Sequence, residues 1–495
     1  MNSPVEIPYK SLIQIDRLPG EFVYIQIANQ LIQAIQYGSL PPGTKLPGTR
    51  ALCALLNVHR NTVSAVYEEL FAQGWVEVKP NKGTFVISQL PTVIRQPDLI
   101  KPYPSSTRFD FKISNLLDSP FEQVYSDYIF NDGTPDIRLT QIEDLSRFYS
   151  ANMKRKSNQN KMSYHNQEGS RYFKEQLTHY LNLSRGLSIS VDNLLITRSN
   201  EMSLYIISEI ILQANDYVVV GSLSYFSANM IFQKNNAHIV TVPVDEGGLN
   251  TTALRNLCER HPIRMVYVTP HHHYPTTVSL KAQRRMALLQ LAMEFGFVIV
   301  EDDHDYDFHY NKQPLLPLAT ADTEGLVIYV GSFGKSLAPG FRTGFIVAPE
   351  NLMREMRKHL GVIDRQGDVL MEQALGEMIE EGVIRRHLKR SLKIYRERRN
   401  FMADLLKNEL GEHVQFQQPS GGLAFWVVFN KAVNLMQLKL QCEKNNLFIP
   451  KTLLYQNRNL TAMRIGFGHL NEEEMLKSIA ILKQSIESVG AITGN

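Results

Sequence analysis

Cysteine is scarce: Cys53, Cys258 and Cys442 are the only three in 495 residues. They lie far apart and have neither metal-type nor redox-type spacing, so no disulfide framework is expected and the thiols read as reduced, as in a cytosolic chain. Long apolar runs are missing too. Tyr217–Val220 and Phe297–Val300 are strand-sized, far short of the ~20 residues that span a bilayer. The start, MNSPVEIPYK, has no basic segment followed by an apolar stretch, which excludes a signal peptide from the reading and leaves an intracellular, soluble protein. Charge of one sign is also lacking. Lys+Arg number 52 against 49 Asp+Glu, a formal net charge of +3. Residues 1–90 hold seven of the former and six of the latter, so this stretch is not strongly basic; a nucleic-acid reader here must rely on where its few cations stand. With 20% charged and 43% hydrophobic residues, no repeat and no low-complexity tract, the chain is globular, and its length suits two or three domains.

Two textures are present. From residue 21 to about 73 the spacing predicts three short helices. The first carries Phe22, Ile25, Ile27, Leu31 and Ile35 and stops at Tyr37-Gly38; the second runs from about Thr49 to Leu56. The third sets Val63, Val66, Tyr67 and Leu70 at i, i+3, i+4, i+7 and ends near Gly74. Trp75–Val78 and Thr84–Ile87 flank a Lys-Pro-Asn-Lys-Gly turn and read as a β-hairpin with Gly83 at its tip. Leu56-Asn57-Val58 is then the turn of a helix-turn-helix whose second helix opens with His59-Arg60-Asn61-Thr62. Arg60 suits guanine or a phosphate, Asn61 an adenine edge, and Thr62 a phosphate at the helix start. Arg50 opens the preceding helix within reach of the DNA backbone, and Lys82-Gly83 suits the adjacent minor groove. A plain helical domain with a solvated face has the same periodicity, and the pattern alone leaves both readings open.

The text is more specific than the pattern. Tyr24-Ile25-Gln26-Ile27, Ile35-Gln36-Tyr37-Gly38-Ser39-Leu40-Pro41-Pro42-Gly43-Thr44-Lys45-Leu46-Pro47, Val58-His59-Arg60-Asn61-Thr62-Val63, Tyr67-Glu68-Glu69-Leu70 and Lys82-Gly83-Thr84-Phe85-Val86 together resemble the GntR-type winged helix over about residues 20–88. The resemblance implies double-stranded operator DNA as a partner and places contacts on Arg50, Arg60, Asn61, Thr62 and Gly83. Gly48-Thr49 departs from the usual Ser-Ser or Ser-x of that family.

Four prolines between about residues 88 and 105 (Pro91, Pro97, Pro102, Pro104) read as a linker. Beyond it, strand-like runs (Leu194–Thr197, Tyr217–Val220, His238–Val242, Met265–Thr269, Val298–Val300, Val327–Tyr329) alternate with helical ones, the mark of an α/β domain with a mostly parallel sheet. A last segment, about 355–495, mixes charged helices with short strands at 422–429 and 463–467 and reads as a small α+β subdomain. The expected domains are 15–88, a linker 89–109, and 110–495.

Gly331-Ser332-Phe333-Gly334-Lys335-Ser336-Leu337-Ala338-Pro339-Gly340-Phe341-Arg342 follows a predicted strand. A lysine in a small-residue loop near Ser332 and Arg342 has the parts of a Schiff base beside a bound phosphate; an exposed loop lysine is the plain alternative. The strand Val298–Val300 runs into Glu301-Asp302-Asp303-His304. A carboxylate at a parallel strand's C-terminal end lies at the ligand crevice and can partner a protonated pyridine nitrogen. Asp302, Asp303 and Asp305 can also be read as a magnesium site, but the lysine motif favours the cofactor.

The combination resembles fold-type I aminotransferases, and with the winged helix the MocR subfamily of GntR regulators. By that resemblance Lys335 is the Schiff-base lysine of pyridoxal 5'-phosphate, Asp302 the pyridine-nitrogen partner, and Tyr225 the ring-stacking aromatic. Ser332, Arg342 and the turn Thr197-Arg198-Ser199-Asn200-Glu201 hold the phosphate, and Arg464 clamps a substrate carboxylate. Gly133-Thr134-Pro135-Asp136 and Tyr164…Gly169 are further landmarks. In four places the chain departs from the family: His304 stands for a tyrosine, Ser199 and Thr277 for glycines, and Leu223-Ser224 for Pro-Gly. His271-His272-His273, taken as adjacent on a strand, put at most two imidazoles on one metal; His272 or His273 as a pocket contact is the preferred reading. The basic run Arg385–Arg399 reads as a solvated face. The resemblance thus implies a cytoplasmic, homodimeric, DNA-binding regulator sensing an amine or amino acid, or pyridoxal phosphate itself; the rivals are an active aminotransferase that also binds DNA and a DNA-binding protein whose large domain is cofactor-free.

Overall fold

A computed structural model describes residues 8–16, 22–89, 105–117, 122–163, 168–310, 315–430 and 433–493. It forms two compact units, Met1–Lys112 and Ile113–Asn495. Most of the proline-rich segment, and the landmark Tyr164, lie outside the described residues.

In the first unit, α1 (Tyr9–Leu12), α2 (Val23–Gln36), α3 (Thr49–Leu56) and α4 (Arg60–Ala72) precede strands β1 (Val76–Lys79) and β2 (Gly83–Val86). The helices form because each turns an apolar stripe inward: Ile27, Leu31, Ile35, Leu52, Val63, Val66 and Leu70 share one core with Trp75 and Val86. Helix α1, which the periodicity does not announce, adds Tyr9 to that core. Asn57 closes α3 in the left-handed region at φ 53°, where a short amide side chain is tolerated. That reversal sets α4 across α3, while the Tyr67 hydroxyl donates to Pro47 O.

The hairpin differs from expectation at its tip. Lys79 pairs with Gly83, so the tip is Pro80-Asn81-Lys82 and Gly83 is the first strand residue. Its φ of +113° suits glycine alone. A third segment lies on β2: Gly43 N donates to Val86 O, Val86 N to Thr44 O and Leu46 N to Thr84 O, each at 2.9 Å.

The second unit is built on a seven-stranded sheet of β3 (Leu194–Thr197), β4 (Tyr217–Gly221), β5 (His238–Val242), β6 (Ile263–Val268), β7 (Val298–Asp303), β8 (Val327–Ser332) and β9 (Gly344–Val347). Their spatial order is β3-β9-β8-β7-β6-β4-β5. Strand β9 runs antiparallel to both neighbours; the other registers are parallel. The sequence reading omits β9, because Gly344–Val347 follows the lysine loop with no helix between to mark a new strand. Apolar clusters cover both faces, which is why the strands read as unbroken apolar runs. All the parallel strands end on one side, and the functional loops leave from there. Helix α5 (Asn200–Ile211) starts just after β3.

Four further strands, β10 (Val414–Phe416), β11 (Ala424–Phe429), β12 (Leu454–Gln456) and β13 (Thr461–Gly466), form an antiparallel sheet in the order β10-β11-β13-β12. It packs on α6 (Val383–Leu410), whose Tyr395, Met402, Leu406 and Leu410 enter that subdomain's core. The basic run lies on α6 and is not uniformly solvated. Arg399 is buried over the Tyr310 ring at 4.6 Å, and Arg398 pairs with Asp136 at 2.8 Å.

Candidate cofactor site and nucleic-acid interface

In the second unit a cavity of about 340 Å³ opens at the C-terminal ends of the parallel strands. Ser199, Asn200, Tyr225, Asp302, His304, Ser332, Lys335 and Arg342 all line it, so residues spread over 144 positions of sequence converge. Strand geometry explains this: the residues that follow β3, β4, β7 and β8, and those that precede the reversed β9, emerge at the same edge.

Asp302 is 3% exposed. Its Oδ1 accepts from Asn200 Nδ2 at 2.8 Å and its Oδ2 from the Tyr267 hydroxyl at 2.7 Å. Burial pushes its carboxyl up to about 6, which a cationic ring nitrogen alongside would offset. Asn200 Oδ1 beside it is a buried acceptor with no hydrogen-bond partner. Tyr225 donates its hydroxyl to Glu201 Oε1 at 3.0 Å, and its ring stands 5.1 Å from that of Tyr274.

Lys335 Nζ lies 3.2 Å from Asp305 Oδ1, and His304 Nε2 lies 3.2 Å from Asp305 Oδ2. Burial acts to raise the Asp305 carboxyl, but Lys335 and His304 overcome it and hold it well below the usual range. Asp305 therefore orients both the lysine and the histidine that replaces the family's tyrosine. The sequence reading gave Asp305 only a magnesium role; the structure commits it to Lys335.

At the other end, Ser199 caps α5, its Oγ accepting from Met202 N at 3.2 Å. This explains a serine where glycine is usual: the hydroxyl takes one of the helix's free N–H groups. A Cβ on Gly344 would lie 2.9 Å from Thr197 Oγ1 and 3.0 Å from the Ser199 carbonyl carbon, so glycine is what allows β9 to close on this turn. The free N–H groups of the helix start, the Ser332 hydroxyl and the exposed Arg342 are suitable donors for a phosphate dianion.

Arg464 departs from its expected place. It is 2% exposed and does not line the cavity. Its Nε donates to Asp132 Oδ1 at 2.7 Å and its Nη1 to Pro275 O at 2.9 Å, and the guanidinium stands 4.9 Å over the Tyr274 ring. Burial disfavours the guanidinium's charge, yet Asp132 and Tyr274 hold it above its ordinary value.

The histidine triplet also needs correcting. Strand β6 ends at Val268, so His271, His272 and His273 occupy a turn and not a strand, and none of them lines the cavity. His271 Nδ1 sits 3.1 Å from Asp303 Oδ1, and His273 Nε2 is 2.9 Å from Leu223 O. Burial lowers the basicity of His272 and His273, the latter to about 4. The magnesium alternative fares no better. Tyr329 donates to Asp303 at 2.5 Å, Asp302 and Asp305 are engaged as above, and among the described residues no group of three acidic, His or Cys side chains is placed to hold a metal. Glu301 accepts from Leu318 N and Ala319 N at 2.8 and 3.0 Å, and burial raises it to about 7.

In the first unit, Arg50, Arg60, Asn61, Lys82 and Gly83 are exposed and Thr62 is half-buried. His59 caps α4, its Nδ1 accepting from Asn61 N, which leaves Arg60, Asn61 and Thr62 on the first turn. Lys45 stands in a loop-like string that carries no contact signal of its own, yet its Nζ lies 6.0 Å from the Phe85 ring centre on β2. A Cβ on Gly83 would come within 3.1 Å of Lys45 Cε.

The fold and cavity define a pyridoxal-phosphate protein of the fold-type I aminotransferase class, joined in one chain to a winged helix. The chain belongs to the aminotransferase class I and II family, which it matches over residues 133–482, and residues 23–86 match the gntR family of bacterial regulatory proteins. It is 26% identical over 487 residues to the probable rhizopine catabolism regulatory protein MocR of Rhizobium meliloti, covering 97% of this chain and 98% of that one. It is 27% identical to the uncharacterized HTH-type transcriptional regulator YdeL of Bacillus subtilis, over 93% of this chain and 96% of that one. Kynurenine aminotransferase of Pyrococcus horikoshii, solved in complex with PMP, superposes with a TM-score of 0.67 at 25% identity, covering 73% of this chain and 90% of that one. The two-part architecture is thus that of the MocR-type GntR regulators, and pyridoxal phosphate is the cofactor of the aminotransferase family. The residues present fit it: a buried carboxylate for the ring nitrogen, an amine opposite, and donors for a dianion.

Proposed function

We propose that this protein is a DNA-binding transcription regulator whose second unit binds pyridoxal phosphate and senses a primary amine. The observation that carries the reading is the convergence of Lys335, Asp302 and the Ser199–Asn200 turn on one cavity, in a chain whose other unit presents Arg60 and Asn61 on an exposed helix start.

When bound, the cofactor supplies an aldehyde that condenses with amines and a ring that draws electrons from them. Lys335 provides the chain's own amine, aimed by Asp305. Asp302 holds a proton at the ring nitrogen, with Asn200 and Tyr267 fixing its two oxygens. Tyr225 would cover one ring face, and Ser199, Asn200, Ser332 and Arg342 would bind the phosphate. Were an incoming amine to engage the cofactor in place of Lys335, the released Lys335 would remain beside Asp305 and His304. This changes the local ion pairs and gives the domain two states between which an effector selects. Arg60, Asn61 and Thr62 read the major groove, Arg50 grips the backbone, and Lys82 and Gly83 approach the minor groove with Lys45 beside them. The large unit pairs with a second copy, as is general for the aminotransferase fold, so two winged helices address paired half-sites.

The test selects DNA from a random library with the full-length protein. Amines are then titrated while absorbance and affinity for the selected DNA are read together. Amines that shift both support the reading. A colourless protein whose DNA affinity ignores every amine would sink it. Turnover with a keto-acid acceptor at enzyme-like rates would favour the aminotransferase alternative.

A further inference from the structure

The cavity end where a substrate carboxylate would be expected presents an acid of the chain itself. Asp132 lines the cavity with its side chain 36% exposed, and Arg464 lies behind it with a side chain 2% exposed. The pair is closed at 2.7 Å through Asp132 Oδ1, and the second arm of the guanidinium is spent on Pro275 O. A ligand carboxylate would have to expel Asp132 to reach Arg464, or else face it. Either option is unfavourable: the ligand must displace an ion-pair partner already in place, or bring its own negative charge up against another.

Asp132 does not sit on a loose loop. Asn131 Oδ1 accepts from Gly133 N at 3.0 Å and from Thr134 N at 3.1 Å, and Asn131 O accepts from Gly466 N on β13 at 2.9 Å. Gly133 has φ +73°, and a Cβ there would lie 3.1 Å from the Leu423 backbone. A Cβ on Gly466 would lie 2.4 Å from Asn131 O. The turn that carries Asp132 is therefore packed against β13, and the carboxylate is pinned beside Arg464.

Resting on the reading of the cavity as an amine site, we propose that Asp132 sets effector specificity by occupying the carboxylate clamp. The site takes a primary amine whose far end is a hydrogen-bond donor or a cation, not a carboxylate. The outward oxygen of Asp132 accepts from that far end, and Arg464 holds Asp132 in place.

The experiment uses the full-length, cofactor-loaded protein with 1,4-diaminobutane and 4-aminobutanoate, which match in length and differ in the far end. Dissociation constants are read from visible absorbance and, independently, from the shift in unfolding temperature. Wild type should bind the diamine at least tenfold more tightly. Asp132→Asn should strengthen the aminobutanoate and weaken the diamine, changing the ratio tenfold or more; Asp132→Ser serves if the amide variant folds poorly. Equal or tighter binding of the aminobutanoate by wild type, an unchanged ratio in the variants, or no binding of either probe overturns the inference while the cofactor reading stands. If the purified protein has no visible band after loading, the cofactor reading itself fails, and the unfolding temperature still decides the preference.

Discussion

The two units handle their cations in opposite ways. In the winged helix Arg50, Arg60 and Lys82 are exposed and ready for a polyanion whose counterions they displace. In the large unit Lys335 is paired with Asp305, Arg464 with Asp132 and Arg198 with Asp364. Free surface cations respond to salt and to any phosphate backbone; paired ones respond to a ligand that offers a better partner. The first arrangement suits a long, uniform target, the second a small one that must be told from its neighbours.

The contrast can be broken at its strongest point first. Lys335→Ala should replace the visible band of the loaded protein with that of the free aldehyde, because no amine of the chain is left to condense with it, which a simple scan checks. Asp302→Asn should weaken cofactor binding by about 10–100-fold, the worth of a charge-assisted contact. Its pH dependence follows from burial: the free carboxyl titrates at about 6 and is ionised when it pairs with a ring cation. Wild-type affinity should therefore fall as pH drops through about 6 and level off above it, while the asparagine variant stays flat; fluorescence titration across pH 5–8 reads both.

On the exposed side, Arg60→Ala should cost about 1–3 kcal/mol of binding to selected DNA and relax preference at one base position, as measured by gel shift against point-substituted sites. Lys45→Ala should weaken all sequences alike and lower the salt slope by about one. A slope that does not move would remove Lys45 from the interface. The smallest effect concerns Thr277, held at φ +63°, where a β-branched residue is strained. Thr277→Gly should stabilise the large unit by about 1 kcal/mol, visible as a small rise in urea midpoint.

The strands of the large sheet were legible because burial on both faces leaves apolar runs. Lys335, Asp302 and the Ser199–Asn200 turn were legible because each sits in a string whose chemistry is local: a small-residue loop, an acidic strand end, a helix start. What escaped depends on partners far away in sequence. Tyr267 lies inside an apolar strand, and only the fold brings its hydroxyl to Asp302. Arg464 and Asp132 stand 332 positions apart, and nothing in either neighbourhood says that one occupies the other. The histidine triplet misled for the same reason, because adjacency in sequence suggested a strand where the chain turns.

The third segment lying on β2 has a consequence for association between copies. With residues 43–46 on one side and β1 on the other, β2 is closed, and β1 is left as an open edge of the hairpin. That edge carries Glu77 and Lys79, paired at 2.9 Å, and runs into Pro80, which has no N–H to give. Charged residues and proline are the features that keep exposed edges from templating another strand. Two copies brought close by the proposed pairing would thus be discouraged from zipping together through their hairpins.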